Sequence, residues 1–159
     1  MDGNIFCMER VQLMIDPRYL AGVIDSDGSI SINRALNHGK TRQYRPYIQL
    51  TWLYFSKTKK IMDELKEKYD GSVFIDDKIT SNFKCNGKYI AYKADSRKAE
   101  KILIDVLPYL KIKQEQAKCC LELLRITGYS GSKVPEEIWN RRKELYEECK
   151  KLNKEKMDL

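Results

Sequence analysis

The sequence has few of the side chains from which histidine- or cysteine-based sites are built. Its 159 residues include a single histidine, His38, which nearly excludes histidine catalysis and multi-histidine metal sites. The five cysteines form no C-x-x-C pair, and their odd number and spacing argue against a disulfide framework or structural zinc. Cys119 and Cys120 lie in a helical pattern, so we interpret them as small core or interface residues.

Long apolar runs are also missing. No segment approaches the length of a membrane-spanning helix, and the first residues lack the charged-then-apolar pattern of a secretion signal. We therefore expect an intracellular protein with no membrane partner.

Acidic residues are absent from one long stretch, Ser29 through Met62. Over the whole chain the formal net charge is +7, and the pI is about 9.1. Excess basic charge indicates a polyanionic partner, nucleic acid before an anionic membrane, although a merely soluble basic protein is the alternative.

The order of patterns predicts one α+β domain over residues 1–159, with a core at about 17–127 and a C-terminal helical extension at about 135–155. Capping residues, periodicity and breakers predict the helices, and alternation predicts the strands. The first predicted elements are a helix from Asp16-Pro17 and the strands Ser29–Ala35 and Tyr47–Phe55, which a polar connection from Leu36 to Pro46 joins. A helix capped by Ser56 follows, and then the strands Ser72–Asp76 and Lys88–Ala94, joined by a polar stretch at Asn82–Gly87. The remaining predicted elements are a helix capped by Ser96 and broken at Pro108, a helix Lys113–Thr127 closed by Gly128, and a last helix from Pro135.

The segment 19–28, Tyr-Leu-Ala-Gly-Val-Ile-Asp-Ser-Asp-Gly, is the most informative in the chain. A glycine inside a helix costs about 1 kcal/mol relative to alanine, and a close helix–helix crossing explains why Ala21 and Gly22 are there. Two such helices meeting would bring an acidic residue of each together, where a divalent metal can bind. A calcium loop is excluded because Ile30 and Leu36 stand where that motif needs Gly and Glu. A helix stop with solvated acids is the alternative.

Residues 20–28, Leu-Ala-Gly-Val-Ile-Asp-Ser-Asp-Gly, resemble the signature of the LAGLIDADG homing endonuclease family, with Val23 and Ser26 as mild departures. The segment from Pro108 to Ala117 is similar to the family's Pro-x-Leu-x-x-Lys-x-x-Gln-Ala stretch, and the element order fits its αββαββα core. The resemblance spans roughly Pro17 to Thr127 and implies a saddle-shaped antiparallel sheet that lies in the DNA major groove.

Because the chain holds a single copy of the motif, the resemblance implies a homodimer with a long pseudo-palindromic site in double-stranded DNA. The motif helices would then pair through Leu20, Ala21, Gly22 and Ile24.

The resemblance also implies roles for residues of a cleavage site. Asp27 and the backbone carbonyl of Ser26 would bind Mg²⁺ or a similar ion such as Mn²⁺, which supports in-line hydrolysis of a phosphodiester. Lys113 would lie near the scissile phosphate. Where relatives often have Gln, this chain has Ser56, which is shorter and is either catalytic or a helix cap; Lys60 is the basic candidate nearby. Asp25 we interpret as structural.

The polar side of the strands is the expected DNA-reading face, because amide, guanidinium and hydroxyl groups bind base edges or phosphates. The candidate residues are Ser31, Asn33, Arg34, Lys40, Arg42, Arg45, Tyr47, Gln49 and Thr51, with Leu53 facing a thymine methyl.

These expectations combine into a metal-dependent, site-specific DNA endonuclease that makes a staggered cut and promotes intron homing. The alternatives are a LAGLIDADG-derived RNA maturase, a non-cleaving DNA-binding regulator, and a basic α+β RNA-binding domain that never cut nucleic acid. Asp27 favours the enzyme, because a pure binder has no need of the metal-binding acid.

Overall fold

A computed structural model describes residues 15–76, 87–126 and 134–155, without the side chains of Thr41 and Arg42. The described part has the α+β architecture that the sequence predicts. Its elements are α1 (Pro17–Ser26), β1 (Gly28–Asn37), β2 (Lys40–Leu53), α2 (Ser56–Tyr69), β3 (Ser72–Asp76), β4 (Tyr89–Asp95), α3 (Ser96–Val106), a 3₁₀ turn (Leu107–Tyr109), α4 (Gln114–Arg125) and α5 (Glu136–Lys154). The predicted stop at Gly128 and most of the predicted connection, residues 82–86, lie outside the described residues.

The four strands form one antiparallel sheet in the order β1-β2-β4-β3. The helices pack against one face of it, where alternate residues such as Ile30, Ile48 and Ile90 are buried. The side chains between them point to the opposite face, which none of the described elements covers. This arrangement leaves a four-stranded surface open to a partner.

The β1–β2 hairpin is longer than the sequence suggests. The predicted polar connection from Leu36 to Pro46 is wrong, because β1 and β2 pair from Gly28 and Leu50 out to Asn37 and Lys40. His38 and Gly39 close the hairpin with φ angles of 49° and 77°, the backbone of a two-residue turn with both φ positive. Pro46 is tolerated inside β2 because pairing with β4 starts only at Tyr47, so the missing N–H is not required there.

Two predicted helix caps are also corrected. Ser56 and Ser96 are the first residues of α2 and α3, and Phe55 and Asp95 precede them as the capping residues. The start of α2 is instead held by Thr58, whose hydroxyl donates to the carbonyl of Leu53 at 2.8 Å. The same hydroxyl oxygen accepts from the N–H of Phe55 at 3.0 Å.

The core lies between the sheet and the helices. Cys119 and Cys120 are buried there, as predicted, and Cys149 joins them from α5. Burial raises the pKa of the Cys119 thiol to about 12, so this thiol stays protonated and unreactive at neutral pH.

The C-terminal helix α5 is part of this core. Leu145 is buried, and Asn153 donates from its side-chain amide to the carbonyl of Ile30 in β1 at 2.9 Å. Arg141 binds Glu122 of α4 through both carboxylate oxygens, at 2.8 and 3.0 Å. None of the described helices is both long and apolar enough to cross a membrane.

Candidate functional site

Asp27 sits at the point where α1 ends and β1 begins. Its N–H donates to the carbonyl of Val23 at 2.8 Å, and its side chain is exposed. Gly28 follows because a Cβ there would lie 2.8 Å from the Cα of Ile24 and 2.7 Å from Cδ2 of Leu50. This close approach fixes where the chain leaves the helix, and with it the position of the Asp27 backbone.

Asp25 has a different environment two residues earlier. Its carboxylate accepts the backbone N–H groups of Lys111, Ile112 and Lys113 at 2.7, 3.2 and 3.0 Å. These contacts tie the segment before α4 to the end of α1. The structural role predicted for Asp25 is confirmed by this geometry.

Lys113 is buried beneath the same turn. Its ammonium donates to the backbone carbonyls of Ile24, Asp25 and Gly28, the last two at 3.0 and 2.6 Å. These carbonyls lie on both sides of Asp27 in the chain, at the negative end of the α1 dipole. Lys113 therefore reaches the predicted site, but as a group that holds the Asp27 turn; its contact with a scissile phosphate stays a prediction.

A cavity of about 550 Å³ opens beside Asp27. Its lining includes Trp52, Lys57 and Thr58, but neither of the predicted residues Ser56 and Lys60. Ser56 and Lys60 are both exposed on α2, and their catalytic roles stay predictions.

Trp52 and Lys57 were missed as site residues. The indole N–H of Trp52 donates to Oδ2 of Asp27 at 3.3 Å. Trp52 belongs to the inward-facing set of β2, so strand alternation alone assigns it to the core. The available signal was its place near the end of the strand, because an indole N–H usually finds an acceptor.

One chain supplies only part of a metal site. Asp27 has one carboxylate and Ser26 has a neighbouring carbonyl, both hard oxygen donors that suit Mg²⁺. Within the described residues no three His, Cys, Asp or Glu side chains cluster where an ion could bind. The donors therefore fit a divalent cation only if a second Asp27, water or phosphate oxygens complete the coordination.

The predicted pairing surface of α1 needs correction. Leu20, Ala21 and Ile24 are buried in the protomer's own core, because α1 packs that face against α3, β1 and the 3₁₀ turn. Gly22 is exposed, and a Cβ built on it meets no atom within 4 Å. A partner can therefore approach α1 at Gly22 and at the exposed Tyr19, but not through the other three predicted side chains.

Most of the predicted DNA-reading residues share the open face of the sheet. Pairing places Ser31 opposite Tyr47 and Asn33 opposite Arg45, and Thr51 follows on the same side of β2. Gln49 is oriented there: its oxygen accepts from the Tyr47 hydroxyl at 3.2 Å, and its amide donates to the Thr51 hydroxyl at 3.0 Å. The open face thus presents an ordered row of hydrogen-bonding groups.

Arg34 is not part of that row. Its side chain lies on the helix side of β1, with the guanidinium 5.3 Å from the ring centre of Tyr146 in α5. The expectation that Arg34 of the first hairpin belongs to the DNA-reading face is therefore wrong, because the alternation of the strand turns its side chain to the other face. Lys40 is exposed at the hairpin end, and the side chain of Arg42 lies outside the described residues.

The other half of the open face comes from β3 and β4, from which we predicted no reading residue. Lys93 lies opposite Gln49, and Phe74 lies opposite Ala91, which in turn pairs with Thr51. The Lys93 ammonium is 5.1 Å from the centre of the Phe74 ring. These residues extend the predicted row across all four strands.

The fold is similar to that of solved homing endonucleases. Residues of this chain superpose on I-CvuI in complex with its target (TM-score 0.64, 18% identity, 86% of this chain and 80% of that chain). They also superpose on the archaeal intron-encoded homing endonuclease I-Vdi141I complexed with DNA (0.62, 18%, 86% and 82%). For the meganuclease I-SmaMI bound to uncleavable DNA the TM-score is 0.56 at 19% identity, over 83% of this chain and 44% of that one. No protein-family model and no curated protein matches the sequence.

The chain therefore has the fold of the LAGLIDADG homing endonucleases, and the resemblance inferred from residues 20–28 is confirmed at the level of the fold.

Proposed function

We propose that this protein is a divalent-metal-dependent endonuclease that cuts double-stranded DNA at a specific site and acts as a homodimer. The observation that carries the proposal is the position of Asp27. Its exposed carboxylate stands at the end of α1, on the turn that leads directly into the open four-stranded sheet. A surface that binds the major groove and a metal-binding acid are thus joined by one residue, Gly28.

The proposal assigns a role to each of the site residues described above. The polar row on the sheet binds base edges and positions the duplex. Asp27 and the Ser26 carbonyl hold the cation, Lys113 and Asp25 fix the turn that carries them, and Lys57 faces the cavity where a phosphate is expected. A divalent ion bound there supplies activation of water and stabilisation of the leaving oxygen.

The incomplete metal site supports a homodimer. One chain brings one Asp27, and the exposed Gly22 leaves room for a second α1 to approach. The chain also spans only 44% of the meganuclease I-SmaMI, whose fold it shares. Two copies related by a twofold axis would place the two Asp27 carboxylates side by side and give a pseudo-palindromic footprint, with one cut per strand and hence a staggered break.

The test is cleavage of DNA that contains the uninterrupted insertion site of the host gene, with and without Mg²⁺. If the gene is not known, sites are first enriched by binding from a pool of random-sequence duplexes. We expect cutting only with the metal, and Asp27→Asn should abolish cutting while DNA binding remains.

The matched control is Asp63→Asn, which removes an exposed carboxylate of α2 that pairs with Lys59 on the surface. This variant should cut at the normal rate. Binding without metal-dependent cutting would favour the non-cleaving regulator, and selective binding of intron RNA would favour the maturase; either result would overturn the proposal. Intron homing follows if the target is an intron-free copy of the gene that carries this reading frame.

A further inference from the structure

Asp27 has a firmly held backbone but a side chain with little to orient it. The backbone is fixed by its own hydrogen bond to Val23 and by Lys113 on the flanking carbonyls. Within the described residues, the one hydrogen bond to the Asp27 carboxylate comes from the indole N–H of Trp52, at 3.3 Å. The orientation of this carboxylate therefore depends on Trp52.

Trp52 is suited to that task because its own position is restricted. It lies in β2, where it pairs with Ile90 of β4, and its ring is half-buried against the core. An indole has one N–H donor and no acceptor, so it contributes a single directed contact. That contact uses one site on Oδ2 of Asp27 and does not involve Oδ1.

The neutrality of the donor matters as much as its direction. A lysine or arginine in the same place would orient the carboxylate but would also repel a cation and offset the charge that attracts it. A neutral N–H orients the acid without either effect. Hydrogen bonds from neighbouring residues to a metal-binding side chain commonly affect how tightly that side chain binds the metal.

We propose that Trp52 is a positioning residue that holds the Asp27 carboxylate in its cation-binding orientation. The inference rests on the proposed function, because it assigns Asp27 to the metal. It predicts that loss of the indole N–H weakens metal binding and leaves metal-free DNA binding unchanged.

The first experiment compares Trp52→Phe with the unchanged protein. Phenylalanine keeps an aromatic ring against the core and removes the N–H donor. We expect the Mg²⁺ concentration for half-maximal cleavage to rise about tenfold, the usual lower range for losing an outer partner of a metal ligand. DNA affinity measured without metal should not change, and an unaltered Mg²⁺ dependence would overturn the proposal.

The matched control is Trp139→Phe. Trp139 is the only other tryptophan in the chain, and it packs on Tyr44 with ring centres 5.5 Å apart, away from the Asp27 cavity. Its Mg²⁺ dependence should equal that of the unchanged protein. If Trp52→Phe loses metal-free DNA binding as well, its role is structural and the proposal fails.

A second measurement needs neither cleavage nor a change at Trp52. In the Trp139→Phe protein bound to the DNA selected above, all tryptophan emission comes from Trp52, so Mn²⁺ at Asp27 should quench it. Asp27→Asn in that background should abolish the quenching, and quenching that persists would overturn the proposal. If cutting fails but this quenching occurs, the endonuclease is refuted while the Trp52–Asp27–metal arrangement stands.

Discussion

Two carboxylates two residues apart perform separate tasks at the end of α1. The Asp25 carboxylate accepts hydrogen bonds from three backbone N–H groups. The Asp27 carboxylate is exposed, and among the described residues its one hydrogen bond comes from Trp52. The difference follows from helix geometry. Residues two positions apart point in directions about 200° apart around a helix of 3.6 residues per turn. The Asp25 side chain therefore turns inward and the Asp27 side chain outward.

This division predicts unequal effects of the two substitutions on the free energy of unfolding. Asp25→Asn leaves a single acceptor oxygen for three N–H donors and removes the charge, so it should lower the free energy of unfolding by about 2 kcal/mol. Asp27→Asn should change it by less than about 0.5 kcal/mol. Urea unfolding of both variants measures the difference, and equal losses would contradict the separation of roles.

The roles of single residues were predictable where chain position alone determines them. The motif places Asp25 and Asp27 at the end of α1, and the contacts of Asp25 agree with its predicted structural role. The metal-binding role of Asp27 stays a prediction. Trp52 and Lys93 were not predicted, because their contacts, with Asp27 and Phe74, are made with residues distant in sequence. Arg34 was misplaced since strand alternation, not its charge, decides which face it reaches.

Phe74 offers a second test at the residue scale. Its side chain is 50% exposed on the open face, and that of the next residue, Ile75, is 51% exposed on the other face. Apolar side chains on a groove-reading surface contact the methyl group of thymine. We expect Phe74→Ala to weaken binding of the selected DNA about tenfold, since base contacts are commonly worth about 1–3 kcal/mol.

Ile75→Ala is the control, because it removes an equally exposed apolar group from the same strand. Its DNA affinity should match that of the unchanged protein in an electrophoretic or anisotropy assay. Replacing thymine by uracil at single positions of the site should reproduce the Phe74→Ala loss at one or two positions. Equal losses for Phe74→Ala and Ile75→Ala would refute a reading role for Phe74.

At the scale of elements, α1 has two faces that its sequence does not distinguish. Ala21 and Gly22 both read as small residues for a close crossing, yet Ala21 is buried in the protomer and Gly22 is exposed. Periodicity shows that a helix has a crowded face, but it does not show whether the crowding comes from its own chain or from a partner. Only the position of the sheet and α3 decides that.

The two glycines of the motif therefore predict different defects. Gly28→Ala would place a Cβ 2.8 Å from the backbone of Ile24, so it should destabilise the protomer by at least about 2 kcal/mol. Gly22→Arg meets open space in the protomer and should keep its unfolding midpoint. In sedimentation, however, the Gly22→Arg protein should be a monomer, and a dimer of normal strength would exclude pairing at Gly22.

The last helix, α5, is less peripheral than its charged sequence suggests. We predicted it as an extension of the core, but Leu145 and Cys149 are fully buried, and Asn153 bonds to β1. Its apolar positions are few and scattered among charges, so the sequence does not show how deeply it packs. Its amphipathic stripe becomes informative only once β1 and α4 are in place.

We expect Leu145→Ala to lower the free energy of unfolding by about 3 kcal/mol, as in other fully buried leucine truncations. Hydrogen exchange in β1 should rise with it, because α5 covers the back of that strand. Ile138→Ala, at a half-buried position of the same helix, should cost much less. A small effect of Leu145→Ala would mean that α5 is only loosely docked.

At the scale of the whole molecule, we expect the open sheet face and the net charge to contribute to DNA binding in different ways. The open sheet face carries Arg45 and Lys93 but also Asp95, so it is suited to selective contacts more than to bulk attraction. The net charge of +7 supplies the general attraction to a polyanion. Specific and nonspecific binding should therefore depend differently on salt.

Salt titration tests this division. A protein that makes 6–10 phosphate contacts loses about 10³–10⁵ in affinity between 50 and 200 mM salt, and we expect the dimer to fall in that range. Lys57→Gln, which removes a cation from the Asp27 cavity of each protomer, should reduce the slope of log K against log salt by about 2. Lys143→Gln, on the exposed side of α5, should leave the slope unchanged, because α5 packs on the face of the sheet opposite the open one and does not line the Asp27 cavity. If both lysines changed the slope equally, the DNA would have to contact α5, and the open sheet with the adjoining Asp27 cavity would not be the binding surface.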